Sequence, residues 1–163
     1  MNDFNRLLEI VMKQARDVGI PYSGNIDPNV GVNKRAKSRF GMCSLKDGTY
    51  TIELSSMLLD APERSCCQTL AHELIHTCKG CCNHGALFRS YAHRMNMKYG
   101  YDIRRTHTAD EMGIESASVK RPVNYILICR KCGLKIERSR YSPLIAHPSD
   151  YRCRCGGTLK RIK

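Results

Sequence analysis

His72-Glu73-Leu74-Ile75-His76 reads H-E-x-x-H. On a helix, residues four apart lie on one face, so the two imidazoles project side by side. Two imidazoles so placed hold one Zn²⁺ at roughly 2.0–2.1 Å each. Glu73 stands beside His72, within reach of a water on that metal. Such a water has its pKa lowered to about 7, and a neighbouring carboxylate takes its proton as general base. The chemistry that follows is metal-assisted hydrolysis, and for this motif the substrate is a peptide bond.

A catalytic zinc uses three protein ligands and keeps one position open. The metzincin spacing would need Gly at Lys79 and His at Cys82, and has neither. Glu111 and Glu115 lie far along the chain in a polar stretch, and Asp102 is a weaker candidate. His84, eight residues after His76, opens a new apolar stripe of Leu87, Phe88, Tyr91, Ala92 and Met95. A loop that folds back would face it toward the pair. The predicted set is His72, His76 and His84 on zinc, with Glu73 catalytic.

A second group of metal-type residues follows. Cys129-Arg130-Lys131-Cys132-Gly133 is half of a zinc-ribbon knuckle, and Cys153-Arg154-Cys155-Gly156 is a shorter C-x-C partner. Four thiolates at roughly 2.3 Å can surround a structural zinc. His147 is the substitute ligand should Cys153 fail to reach. A segment of some 40 residues buries too little core to fold unaided, and a metal removes that difficulty.

Charge is uneven. Residues 121–163 hold 11 Lys and Arg against two acidic residues, while residues 1–120 hold 16 against 13. A concentrated positive field attracts nucleic-acid phosphates. Arg130, Lys131, Arg138, Arg140, Arg152 and Arg154 are the predicted contacts, with Tyr141 and Tyr151 as stacking surfaces. The predicted nucleic acid is DNA, single-stranded or bound with little sequence preference. Protein substrates are the other predicted partner.

The elements that position these residues follow from periodicity. Residues 3–18 carry Phe4, Leu7, Leu8, Val11, Ala15 and Val18 on one face, closed by Gly19 and Pro21. A weak strand lies near Val30–Val32. Residues 39–45 and 49–55 form a hairpin about Lys46-Asp47-Gly48. Lys34-Arg35-Ala36-Lys37-Ser38-Arg39 is a basic run beside it. The motif helix runs from Asp60 to Cys78, with Asp60 as N-cap and Glu63 completing a capping box. Cys66 and Cys67 are small core residues, and Cys78, Cys81 and Cys82 occupy the loop after it. His93 is a structural histidine, and Tyr91, Tyr99 and Tyr101 are candidates for an oxyanion-stabilising hydroxyl. Residues 105–122 lose apolar periodicity and read as a linker with one turn at 109–114.

Ten cysteines with no visible secretory signal point to a reducing cytoplasm and to metal or free thiols rather than disulfides. No run of 18 apolar residues is present, which predicts no membrane partner.

His72-Glu73-Leu74-Ile75-His76, Asn83-His84-Gly85 with Phe88, and Ser38-Arg39-Phe40-Gly41-Met42-Cys43 leading into Tyr50-Thr51-Ile52-Glu53-Leu54-Ser55 together resemble the SprT-like zinc metalloproteases. The resemblance spans roughly residues 1–160. It implies an α+β, zincin-like core at 1–104, in which a small antiparallel or mixed sheet packs on helices and a helix bears H-E-x-x-H. A linker at 105–122 and a basic zinc ribbon at 123–163 would follow. It further implies one catalytic and one structural Zn²⁺, and an edge strand beside the cleft that pairs with extended substrate. Spartan-like members digest proteins crosslinked to DNA, so the implied role is DNA repair in a cytoplasmic, nucleoid-associated bacterial or phage protein. The competing expectation is a non-catalytic zinc protein that recruits DNA or protein.

Overall fold

The computed structural model describes residues 1–36, 39–114 and 122–163. Backbone contacts divide the chain into two compact units, Met1–Ser116 and Ala117–Lys163. Lys37 and Ser38 of the basic run, and Glu115, Ser116 and Ser118 of the expected linker, lie outside the described residues.

The first unit opens with α1 (Phe4–Asp17). The Asp3 carboxylate accepts from the amides of Asn5 and Arg6 at 3.0 and 3.1 Å, which satisfies two donors that the helix start leaves open. Phe4, Leu7, Leu8, Val11 and Ala15 are its buried face. Gly19 ends it in the left-handed region at φ 68°, a conformation that glycine enters freely.

Three strands form a mixed sheet. β1 (Gly31–Asn33) runs parallel to β3 (Thr49–Ser55), and β2 (Gly41–Lys46) runs antiparallel to it, in the order β1-β3-β2. The β2–β3 turn places Asp47 at φ 49° and Gly48 at φ 79°. Positive φ at both central residues matches the twist of the flanking strands, which is why Asp-Gly is favoured there. Alternation buries Ile52 and Leu54 of β3. β2 is left as an edge.

α2 (Glu63–His76) is the centre of the unit. Every residue from Ser65 to Ile75 is buried except His72. A helix buried almost all round has neighbours on every side. It begins differently from expectation. The N-cap residue is Pro62, with φ −53° and ψ 135°, and no side chain caps the helix. Proline sets the extended-to-helix transition itself. Asp60 instead faces the N-terminal ammonium at 3.9 Å, and Glu63 pairs with Arg6 at 2.6 Å, so the capping box does not form.

α3 (Ala86–Tyr99) buries Phe88, Ala92 and Met95 and stops at Gly100, φ 69°. The segment after it differs from the linker expected from position 105. Met112 and Ile114 are buried. The Ser65 hydroxyl donates to the Met112 carbonyl at 2.8 Å, and the Asp102 amide donates to Gln68 Oε1 at 2.9 Å. Polar side chains of α2 thus bind residues 102–114 to the core, and sparse apolar periodicity hides that.

In the second unit, β4 (Tyr125–Cys129) is flanked antiparallel by β5 (Lys135–Arg138) and β6 (Leu159–Arg161). The short helix α4 (Pro143–Ala146) lies between β5 and β6 in the chain. Its apolar cluster is Cys129, Cys153 and Leu159 with Ile136 and Leu144. The whole is a mixed α+β protein with small sheets. Among the described residues no helix is long and apolar enough to cross a membrane.

Candidate active site

His72 and His76 sit one turn apart on α2, and the loop after α2 returns His84 to them. His72 Nε2 lies 3.2 Å from His76 Nε2 and 2.9 Å from His84 Nε2. The ligand atoms of all three lie within 4.8 Å of one another. Tetrahedral ligands at roughly 2.0–2.1 Å from zinc are about 3.3 Å apart. The protons argue the same way. His76 Nδ1 is 2.7 Å from the Cys81 carbonyl, which can only accept, so Nδ1 carries the hydrogen and Nε2 presents a lone pair. Ring nitrogens at this separation repel unless a shared proton or a metal cation sits among them. The donor set therefore fits a bound metal, and the Cys81 carbonyl orients His76 as an outer-shell partner would.

Phe88 lies against this triad. Its ring centroid is 4.9 Å from that of His72 and 4.8 Å from those of His76 and His84. An apolar platform holds the imidazoles in place and keeps water from their far side. Burial holds His72 far below the usual imidazole range, at about 3, with His76 and His84 adding to the effect. His84 is lowered by burial, then by His76 and Arg105. Neutral rings are the form that ligates.

Glu73 is 7% exposed and points into the same cleft. Burial pushes its carboxyl up to about 7, opposed by the Cys43 backbone amide and Arg39. The cleft, about 620 Å³, is lined along one side by β2 residues Gly41, Met42, Cys43 and Leu45, and also by Arg39 and Tyr50. Gly41 is there for space. A Cβ on it would stand 2.6 Å from Glu73 Oε1, 2.8 Å from Glu73 Cγ and 2.9 Å from Thr69 Cγ2. The close approach of β2 to α2 that walls the carboxylate requires glycine.

Several sequence candidates lie elsewhere. Asp102 pairs with Arg104 at 3.1 Å, and Glu111 pairs with Arg104 at 2.7 Å, so neither joins the histidines. The Tyr99 hydroxyl donates to Asp17, and the Tyr101 hydroxyl donates to Gln14 Oε1 at 2.7 Å, both on α1. Tyr91 carries the Arg94 guanidinium 5.3 Å from its ring centroid. None of the three lines the cleft; the tyrosine that does is Tyr50. His107 also lines it, and among the described residues its buried Nε2 has no hydrogen-bond partner. Cys78 and Cys81 are buried, and burial pushes the Cys78 thiol up to about 12, which makes it inert.

The second unit brings Cys129, Cys132, Cys153 and Cys155 together, with ligand atoms within 4.8 Å of one another. Cys129 Sγ to Cys155 Sγ is 3.6 Å, and Cys132 Sγ to Cys153 Sγ is 3.7 Å. Tetrahedral thiolates at roughly 2.3 Å from zinc are about 3.8 Å apart. The amides of Lys131 and Cys132 donate to Cys129 Sγ at 3.4 and 3.5 Å. Those donors hold the Cys129 thiol down at about 6. The tighter C-x-C loop closes because Gly156 adopts φ 79° and because Gly157 leaves room: a Cβ there would stand 2.7 Å from Cys129 Sγ. His147 is exposed and outside the quartet. Arg130, Lys131, Arg138, Arg140, Arg152 and Arg154 are all exposed.

Comparison with known families adds one match. A model of the SprT-like family fits residues 11–107, more than half of the chain, and includes the three histidines and Glu73. A search of curated proteins gives no match.

Proposed function

The chain belongs to the SprT-like family, and from that premise we propose that it is a zinc-dependent endopeptidase with a zincin-like first unit. The observation that carries this reading is the convergence of three Nε2 atoms, with His76 anchored through Nδ1, beside a buried carboxylate one residue from His72. His72, His76 and His84 would hold a Zn²⁺, which when bound supplies a Lewis acid and an acidified water.

The protein's own groups do the rest. Glu73 accepts a proton from the attacking water and returns it to the leaving amine. Gly41 lets β2 close over that carboxylate and shield it. The unpaired edge of β2 accepts an extended substrate by backbone hydrogen bonds, so side-chain selectivity along that edge is weak. Phe88 keeps the imidazoles fixed while the carboxylate changes its protonation.

The second unit would hold a structural Zn²⁺ in its four cysteines. The nine surplus positive charges of residues 121–163 support binding to DNA with little sequence preference. The proposed substrates are proteins bound or crosslinked to DNA. The test is cleavage of a DNA-binding protein by the zinc-loaded chain, with and without single-stranded DNA. Glu73→Gln is expected to keep its metal and cleave nothing. A biological role that survives this substitution would favour the recruiting-protein reading.

A further inference from the structure

Beyond His84 the cleft continues into a second cavity of about 640 Å³. His84, Arg104 and Arg105 line both spaces, so a chain lying over the histidines enters this one next. Its floor is apolar and buried: Phe88, Ala92 and Ile103. Its rim carries Arg89, Arg105 and His93, and among the described residues no acidic side chain lines it.

The two rim arginines differ from their neighbour. Arg104 is held by Asp102 at 3.1 Å and Glu111 at 2.7 Å. Among the described residues, Arg89 and Arg105 make no ion pair. Arg105 is carried on a fixed backbone. Asn96 accepts from the Ile103 amide at 2.7 Å and donates to the Ile103 carbonyl at 3.3 Å, which fastens this stretch to α3. An apolar floor beneath two unpaired guanidiniums suits a ligand with a short apolar stem and a carboxylate end.

We propose that this cavity is a subsite for an acidic side chain, Glu or Asp, of the polypeptide substrate, placed next to the scissile bond on the α3 side of the histidines. The proposal rests on the endopeptidase reading and adds a substrate class to it. A polynucleotide strand would need cations spaced along the whole cleft. Arg39 and Arg104 line the metal-proximal part as well, but there the buried Glu73 carboxylate would face a phosphate and repel it.

The test uses the full chain loaded with zinc and unfolded casein as the probe, with every cleavage mapped by mass spectrometry. The expected result is an excess of Glu and Asp over Gln and Asn at one fixed position beside the cut. It should be about tenfold, the worth of one charge-assisted hydrogen bond. In the Arg89→Gln, Arg105→Gln double variant that ratio falls to near one. In Arg89→Glu the preference moves toward Lys and Arg. Both substitutions are at exposed positions, and unchanged zinc content and melting temperature verify the fold.

Casein cut with no acidic enrichment, or enrichment that survives in the double variant, overturns the subsite and leaves the endopeptidase reading standing. No cleavage of casein or of a DNA-binding protein, with or without single-stranded DNA, overturns that reading itself. Inhibition by a single-stranded oligonucleotide that the double variant escapes would show that the cavity holds polynucleotide, and would also overturn the proposal.

Discussion

Replacing Gly41 by Ala tests how tightly β2 closes on the candidate general base. The new methyl would lie 2.6 Å from Glu73 Oε1, 2.8 Å from Glu73 Cγ and 2.9 Å from Thr69 Cγ2. Carbon atoms rest at roughly 3.5–4.0 Å, so the neighbours must give way by about 1 Å. They have little room to do so: Glu73 and Thr69 are each 7% exposed and belong to the most buried helix of the unit. Overpacking of this kind costs about 1–3 kcal/mol. For a unit of this size each kcal/mol lowers the melting temperature by roughly 4 °C. Activity should suffer more than stability, because a misplacement of about 1 Å at a reacting group costs roughly a hundredfold. The assay pairs calorimetry with kcat/KM on an unfolded protein substrate, and zinc content verifies that the histidine site is intact. A Gly41→Ala protein with wild-type melting and wild-type kcat/KM would refute the close approach. One that melts early yet cleaves normally would refute the link between β2 and Glu73.

The two candidate metal sites give separable expectations. His84→Ala should lower zinc from two to one per chain and abolish cleavage, while Phe88, Ala92 and Met95 keep α3 packed; two retained zincs would remove His84 from the ligand set. Cys153→Ser should also leave one zinc, and amide hydrogen exchange across residues 122–163 should accelerate, because the apolar cluster there is small and two of its members, Cys129 and Cys153, are themselves in the cysteine quartet. His147→Ala should change neither quantity, and loss of zinc in that variant would put the exposed histidine back among the ligands.

What the sequence made legible was mostly local. His72 and His76 share a helix face by spacing alone, and the buried stripe through Leu70, Leu74 and Ile75 is the same periodicity seen from the other side. The Asp-Gly turn joins β2 to β3 for an equally local reason. His84 is legible one step less directly: it opens the next apolar stripe, and only a loop that folds back brings it to the pair. The features missed depend on contacts distant in the chain. A carboxylate before a helix is a common start signal and points to Asp60, whereas Pro62 makes the turn unaided. Residues 105–114 looked like a linker because Ser65 and Gln68 anchor that stretch through polar bonds, which leave no apolar pattern. Tyr99 and Tyr101 are spoken for by Asp17 and Gln14, some eighty positions earlier. Gly41 had no visible role until β2 was laid against α2. The unpaired Arg89 and Arg105 were indistinguishable from any other surface charge until they met at one cavity.

Zinc content measured together with proteolysis, in wild type and in Glu73→Gln, tests the central claim most directly. The expectation is two zincs per chain in both proteins, with cleavage of a DNA-binding protein in wild type alone. Two zincs in both with no cleavage by either, whether or not single-stranded DNA is present, would contradict the claim that the histidine site is catalytic. So would equal cleavage by the two proteins.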